Sequence, residues 1–336
     1  QALQGAVNHV LEQIDTRGAG VPIVVFNPLS WVRSDVARAQ APLPRGAFHV
    51  AAPDGTVVPS QRVGKNEFLF EAYDLPPLGY AVYRLMPGAA APREAGLLKV
   101  SRKALENDCL RVRLDADGQF TSVYDKVEGR ETVPAGERAN ILELFDDRPG
   151  ANDAWDIDHN FEALGWMPGP AESVEVIEQG PVRAVVRVLR HTEHSTFVQD
   201  ITMYALLPRL EVEMRADWHE KHALLKVAFP VDILSSRATY HIQYAAIERS
   251  THSNTELDFA RFEVPAHHWA DLSEGGYGVS LLNDCKYGYD VKGHTLRLSL
   301  LRAPVDPDPH ADEGEHRFAY ALFPHAGDWR NGKIGR

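Results

Sequence analysis

The stretch PAHHWADLSEGGYGVSLLNDCKYGYDVKGHTLRLSLLRAP, residues 265–304, decides how the rest of the chain is read. It holds two apolar runs, Gly278 to Leu282 and Thr295 to Leu301. In the second run Leu296, Leu298 and Leu300 alternate with Arg297 and Ser299. A period of two puts the leucines on one face and the polar residues on the other, which predicts a half-buried strand. The connection carries Asn283, Asp284, Lys286, Tyr287, Tyr289 and Asp290, with Gly288 and Gly293 allowing tight turns. The expectation is a long hairpin that presents two carboxylates, one ammonium and two tyrosines at its exposed end. Carboxylates accept from hydroxyls, and aromatic faces stack on sugar rings. Residue types alone favour the plainer alternative, in which the tyrosines cap a sheet edge.

Strands of the same texture extend on both sides. CLRVRLDADGQFTSVYDKVEGRE (109–131) alternates Leu110, Val112 and Leu114 with Arg111 and Arg113, then turns at Asp117-Gly118. SVEVIEQGPVRAVVRVLRHT (173–192), TFVQDITMYALLPRLEVEMRADWHE (196–220), LLKVAFPVDI (224–233), TYHIQYAAIERS (239–250) and HRFAYALFPHAGDW (316–329) continue the pattern. Long strands with one polar face describe an extended antiparallel sandwich. One passage breaks the pattern. LFDDRPGANDAWDIDHNFEALGWMPGP (144–170) has little periodicity and many acids and aromatics. Its aromatic content argues against disorder, and loops of this length in compact domains are usually functional.

Towards the N-terminus the texture changes twice. VPIVVFNPLS (21–30) opens a set of short β-type runs with a hairpin signal at Asp54-Gly55. They predict a small β-sandwich over residues 21–90, ended by the linker PGAAAPREAG (87–96) and followed by a large β unit over 91–336. Before it, Leu3, Val7, Val10, Leu11 and Ile14 fall at helical spacing, and Gly18 and Gly20 end the helix. The apolar stripe is already running at Leu3 in a chain without an initiator Met, so residues 1–20 are expected to be the last helix of a bundle in a longer protein.

Composition excludes several classes. The formal net charge is −12, which argues against nucleic acid or an anionic membrane face as partner. No apolar run is long enough to cross a bilayer and no signal peptide is visible. With two cysteines, Cys109 and Cys285, the expectation is buried free thiols in a reducing, cytoplasmic compartment. No cluster of Cys and His has zinc-site spacing, so no metal is expected in this chain. Phosphate-loop, nucleophile-elbow and metalloprotease motifs are also missing.

Taken in order, several motifs resemble the non-catalytic C-terminal portion of glycoside hydrolase family 38 α-mannosidases, in particular the bacterial and cytosolic branch. They are VVFNPLSWVRSDV (24–36), NDCLRVRLDADGQFTSVYDK (107–126), DAWDID (153–158), THSNT (251–255), the stretch 265–293, LSLLRAP (298–304) and EGEHRFAYALFPHAGDW (313–329). Two positions depart from the pattern: Leu257 stands where Trp is expected, and His268 where Arg or Lys is commoner. The resemblance implies a short helix, a small β-sandwich and a large antiparallel, galactose-mutarotase-like supersandwich. It also implies that the chemistry, a retaining hydrolysis of α-mannosides, belongs to an N-terminal barrel absent from this chain. Zinc is implied for that barrel and for no site here. The implied partners are that catalytic domain and mannose-containing glycans, with a homo-oligomer open.

No catalytic residue is assigned to the chain. Candidates for contact at a substrate rim are Asp153, Trp155, Asp156 and Asp158 in the long loop; Asp284, Lys286, Tyr287 and Tyr289 in the hairpin; and Arg302 at a strand end. His252 and Asn254 are weaker, since a Ser/Thr/Asn-rich turn explains them equally well. For the DAWDID loop, sugar contact and packing against the missing domain are evenly weighed. Trp155 has a plain alternative as a buried anchor, and Arg302 as the partner of a nearby acid, which is slightly favoured. His267 and His268 would face opposite sides of a strand, a poor metal pair. A stand-alone carbohydrate-binding module and a mutarotase-type epimerase remain alternatives. The epimerase needs a Glu base and a His acid that no motif assigns.

Overall fold

The computed structural model describes residues 2–92 and 96–335, without the side chains of residues 2–4. The side chain of Leu3 in the expected helical stripe and residues 93–95 of the linker therefore lie outside what is described. The chain divides into two compact units, residues 1–96 and 97–336.

In the first unit the helix Ala2–Leu11 precedes two antiparallel sheets. One has the order Val21–Asn27, Gly79–Pro87, Phe48–Ala51, Val57–Val58; the other has Arg33–Gln40, Glu67–Leu75, Ser60–Arg62. Alternation explains the core. Phe68, Phe70 and Ala72 share one face of their strand and meet Val50, Val58, Tyr83 and Leu85. Phe68 lies 5.6 Å from Phe48 and 5.9 Å from Phe70, and Phe70 lies 5.0 Å from Tyr83, measured between ring centroids. Each buried Phe is worth about 1.5–3 kcal/mol by transfer. The Asn-Pro turn is fastened by a buried amide. Asn27 Nδ2 donates to the carbonyls of Trp31, Leu75 and Pro76, and Oδ1 accepts from Leu29 N–H.

The second unit is built from three antiparallel sheets. Nine strands run in the order Ser173–Gln179, Arg183–His191, Thr196–Tyr204, Leu210–Trp218, Gly314–Ala326, Tyr277–Asn283, Trp269–Ser273, Arg237–Ile242, Ala245–Ser250. Six more run Gly165–Trp166, Ile141–Asp146, Ala223–Pro230, Thr295–Arg302, Gly288–Lys292, Val264–Pro265. A five-stranded sheet made from residues 98–131 completes the unit. The facing sides form one core, in which Phe229 meets Tyr320 and Tyr240 meets Tyr289 at 6.0 and 6.5 Å.

Three expectations are corrected. The runs 278–282 and 295–301 are not hairpin partners: Tyr277–Asn283 belongs to the nine-stranded sheet and Thr295–Arg302 to the six-stranded one. The polar connection contains its own strand, Gly288–Lys292, which pairs Tyr289 with Leu298 and Asp290 with Arg297. Residues 224–230 do not alternate in exposure, because the strand Ala223–Pro230 is buried along its whole length. Cys285 is exposed and Cys109 half-buried, so the thiols are not the pair of buried ones expected.

Candidate functional site

The strand Ala223–Pro230 is buried on both faces because residues 147–164 fold over the outside of the six-stranded sheet. Pairing places Glu143 beside Lys226, Lys226 beside Ser299, and Arg297 between Ala228 and Asp290 on that outer face. Lys226 has no exposed surface. Its ammonium pairs with Asp290 at 2.5 Å and with Glu263, while Phe161 covers it at 5.2 Å from the ring centre. Arg297 extends the network to Glu143 at 2.8 Å and to Asp290 and Glu162 at 3.2 Å, and Lys292 reaches Glu162 at 2.6 Å. Gly288 is required by this arrangement, since a Cβ there would sit 2.6 Å from Glu263 Oε1.

The electrostatics follow from this geometry. Burial would lower the Lys226 pKa, but Asp290 and Glu263 outweigh it and hold the ammonium above its ordinary range. Burial raises the Glu263 carboxyl, with Asp290 adding to the rise and Lys226 opposing it. Burial also works against Arg297, and Asp290, Glu143 and Glu162 reverse it. The network is a floor closed at its centre, where Lys226 and Asp290 have almost no exposed surface. Phe161, Phe145 and Leu224 seal it, with Ile157 and Phe262 packed alongside.

On this floor the DAWDID loop is held by a latch. Buried Asp147 accepts from Asp158 N–H at 3.0 Å and from Arg302 Nε at 2.5 Å, and Arg302 Nη2 donates to the Asp156 carbonyl. Asp153 Oδ2 accepts from Val305 N–H at 2.7 Å and lies 3.8 Å from His222 Nδ1. Asp158 Oδ1 accepts from Asn160 N–H at 2.9 Å. Arg302 is thus the partner of an acid, and Asp153 and Asp158 each use one carboxylate oxygen to accept from backbone donors. Trp155 is not a buried anchor, since 72% of it is exposed at the loop tip.

The segment around THSNT meets the same loop. Thr255 caps the short helix Glu256–Phe259 by accepting from Asp258 N–H at 3.1 Å, and His252 lies 3.9 Å from Asp258. Asn254 is exposed. Phe259 reaches His159 and Phe262 reaches Phe161, with ring centres 6.0 and 6.2 Å apart. Leu257 and Phe259 stay largely exposed, as do Leu164 and Met167 of the loop.

The hairpin candidates divide. Tyr289 is wholly buried among the core leucines and cannot reach a rim ligand, because it shares the inward face with Val291. Asp284 is exposed, and its N–H donates to Ala319 at 3.2 Å. Lys286 lies 4.2 Å over the Phe318 ring, and burial lowers its pKa. Tyr287 is exposed, its ring edge-on to His267 at 5.7 Å. Among the described residues this group shares no hydrogen bond, ion pair or ring contact with the Arg302 latch. The sequence reading also missed His241, which lies 5.7 Å from His267, 5.3 Å from His268 and 5.6 Å from Trp269. Burial and the two neighbouring imidazoles lower its pKa.

Among the described residues no three His, Cys, Asp or Glu side chains are placed to hold a metal ion. Among the described residues, no helix is long and apolar enough to cross a membrane.

Comparisons with known proteins converge. Residues 105–310 match the family model for the glycosyl hydrolases family 38 C-terminal domain. The chain is 44% identical over 232 residues to alpha-mannosidase 2C1 of Homo sapiens, covering 68% of this chain and 22% of that protein. It is 38% identical over 314 residues to alpha-mannosidase 2C1 of Mus musculus, covering 93% of this chain and 29% of that protein. These relatives are thus much longer than the part of them that this chain spans. The crystal structure of an alpha-mannosidase from Enterococcus faecalis V583 superposes with a TM-score of 0.75 at 16% identity, over 96% of this chain and 45% of that one. At that identity the likeness speaks to the fold. A family model that covers most of the large β unit and more than half of the chain makes the chain a member of glycoside hydrolase family 38, bearing that family's C-terminal domain.

Proposed function

We propose that the chain is the C-terminal β portion of a retaining α-mannosidase and has no hydrolytic activity of its own. The names of the relatives and the share of their length that the chain spans support this reading. Retaining hydrolysis needs a nucleophile and an acid/base carboxyl about 5–5.5 Å apart at an open site. Glu263 and Asp290, which share Lys226 as their cation, are closed off beneath Phe161. The role left to this chain is to pack on a catalytic domain and supply side chains at its rim.

One observation carries the rim role. Asp147 and Arg302 hold the backbone of the loop 153–158 fixed while Trp155 projects into solvent. A large exposed indole on a rigid mount is suited to meet a second surface or a sugar ring.

The chain alone, with or without added zinc, is expected to give no turnover of an aryl α-mannoside; zinc-dependent turnover would overturn the proposal. In the full-length enzyme, Arg302→Ala releases the loop and should lower kcat/KM by about tenfold or more. Unchanged kinetics in both Arg302→Ala and Trp155→Ala would remove the rim role.

A further inference from the structure

One edge of the nine-stranded sheet is a hairpin, Arg237–Ile242 with Ala245–Ser250. Its hold on the rest of the sheet is short. Thr239 pairs with Asp271 and Tyr240 with Ala270, whereas the central strands are matched at every residue from Leu210 to Trp218. Past Tyr240 the joint ends in histidine. The His267 N–H donates to the His241 carbonyl at 2.9 Å, and the His268 N–H donates to His241 Nδ1 at 3.3 Å. The second bond needs a bare Nδ1, so it exists only while His241 is neutral with its proton on Nε2.

The His268 ring stacks on His241 with centres 5.3 Å apart, and His267 stands edge-on to it at 5.7 Å. The other groups packed here come from three elements. Arg249 of the hairpin lies over Tyr240 and donates to the Pro265 carbonyl at 3.2 Å. Tyr287 meets His267 edge-on. Trp269 stacks on His241 at 5.6 Å and Trp329 packs on Trp269 at 5.0 Å, with Arg330 over Trp329 and paired to Asp328 at 3.0 Å. Burial lowers the His241 pKa below its ordinary 6.5, and the charges of His268 and His267 lower it further.

We propose that His241, His267 and His268 form a proton-operated clasp, which joins the hairpin 237–250 to the sheet at neutral pH and releases it in mild acid. A proton on His241 turns its Nδ1 from acceptor to donor, so that two N–H groups face each other. The imidazolium also lies against the two neighbouring imidazoles, whose charges oppose its own. Opening returns His241 to its ordinary value, so the open form binds more protons. Attachment is therefore complete above about pH 6.5 and weakens as the pH falls below it. The hairpin runs directly into residues 251–259, where Phe259 meets His159 of the long loop. Acid thus loosens the support of that contact while the core strands stay closed.

The test is hydrogen exchange by mass spectrometry on the chain at about pH 7.5 and about pH 5.5, corrected for the intrinsic rate. Protection across residues 237–250 should fall severalfold in acid, while that of the strand Ala223–Pro230 holds. His241→Asn keeps an acceptor near the Nδ1 position and cannot titrate, so its hairpin should stay protected at both pH values. His241→Phe has no acceptor, so its hairpin should be weakly protected at both. An unchanged hairpin in acid overturns the clasp, as does an acid response that survives in His241→Asn. Equal loss across Ala223–Pro230 overturns it too, since acid would then act on the whole fold. Ring nitrogen shifts of His241 in the unmutated chain give a second check. They should show a bare Nδ1 at about pH 7.5, and a proton on Nδ1 there would overturn the proposal.

Discussion

The two faces of the six-stranded sheet are held together by opposite means. Inward, Tyr289, Val291, Leu296 and Leu298 join a continuous apolar core. Outward, from the same strands, Asp290, Arg297 and Lys226 form an ion-pair network beneath Phe161. The inner face is stabilised by apolar area removed from water. The outer face is stabilised only while every charge keeps its partner, since a buried charge stripped of its counter-ion is far more costly than the pair is favourable. Burial alone therefore does not tell which face of a strand is core.

The most severe way to break the contrast is Lys226→Met, which leaves Glu263 and Asp290 confined without their cation. A loss of about 3–5 kcal/mol is expected in urea unfolding. Adding Glu263→Gln and Asp290→Asn should restore most of it; no restoration would mean that packing rather than charge holds this face. On the inner side Leu298→Ala should cost about 3 kcal/mol through the cavity it leaves, with the ion-pair network intact.

Alkali should act on both faces. The Lys226 ammonium is held above its ordinary 10.5, and burial raises the Tyr289 phenol well above 10.0. A group whose folded value is raised contributes stability that is complete below its unfolded value and lost above it. Stability should therefore decline from about pH 10 upward, and tyrosinate absorbance from Tyr289 should appear only with unfolding. Early tyrosinate in Tyr289→Phe and parent alike would show only that other phenols titrate, so the two difference spectra must be compared.

The smallest effects concern the periphery. Trp155→Ala should change stability by no more than about 0.5 kcal/mol, since its ring is largely in water. A chelator should leave the Tm unchanged; a fall would show a metal site that these side chains do not suggest.

The sequence made the β class and the inward leucines legible, because alternation records a sheet with one apolar face. Arg297 and Ser299 were read with it as a polar face, and nothing local tells that a loop more than a hundred residues earlier in the chain covers them. Two local signals do point to the outer face. A lysine in LLKVAFP, inside an otherwise apolar run, marks a buried ion pair. In GYDVK the period of two already sets Tyr289 with Val291 against Asp290. At the rim, the loop 153–158 was found by its length and composition, while its latch to Asp147 and Arg302 depends on contacts distant in sequence. His241 carried no local mark, since only the fold brings it to His267 and His268.

The strand Gly314–Ala326 follows the other eight strands of its sheet in sequence yet lies in the middle of that sheet, between Leu210–Trp218 and Tyr277–Asn283. During synthesis both neighbours must wait with bare edges until it leaves the ribosome, a state prone to pairing with other nascent chains. The emergence of residues 314–326, rather than of any earlier strand, is thus the event that lets the nine-stranded sheet close.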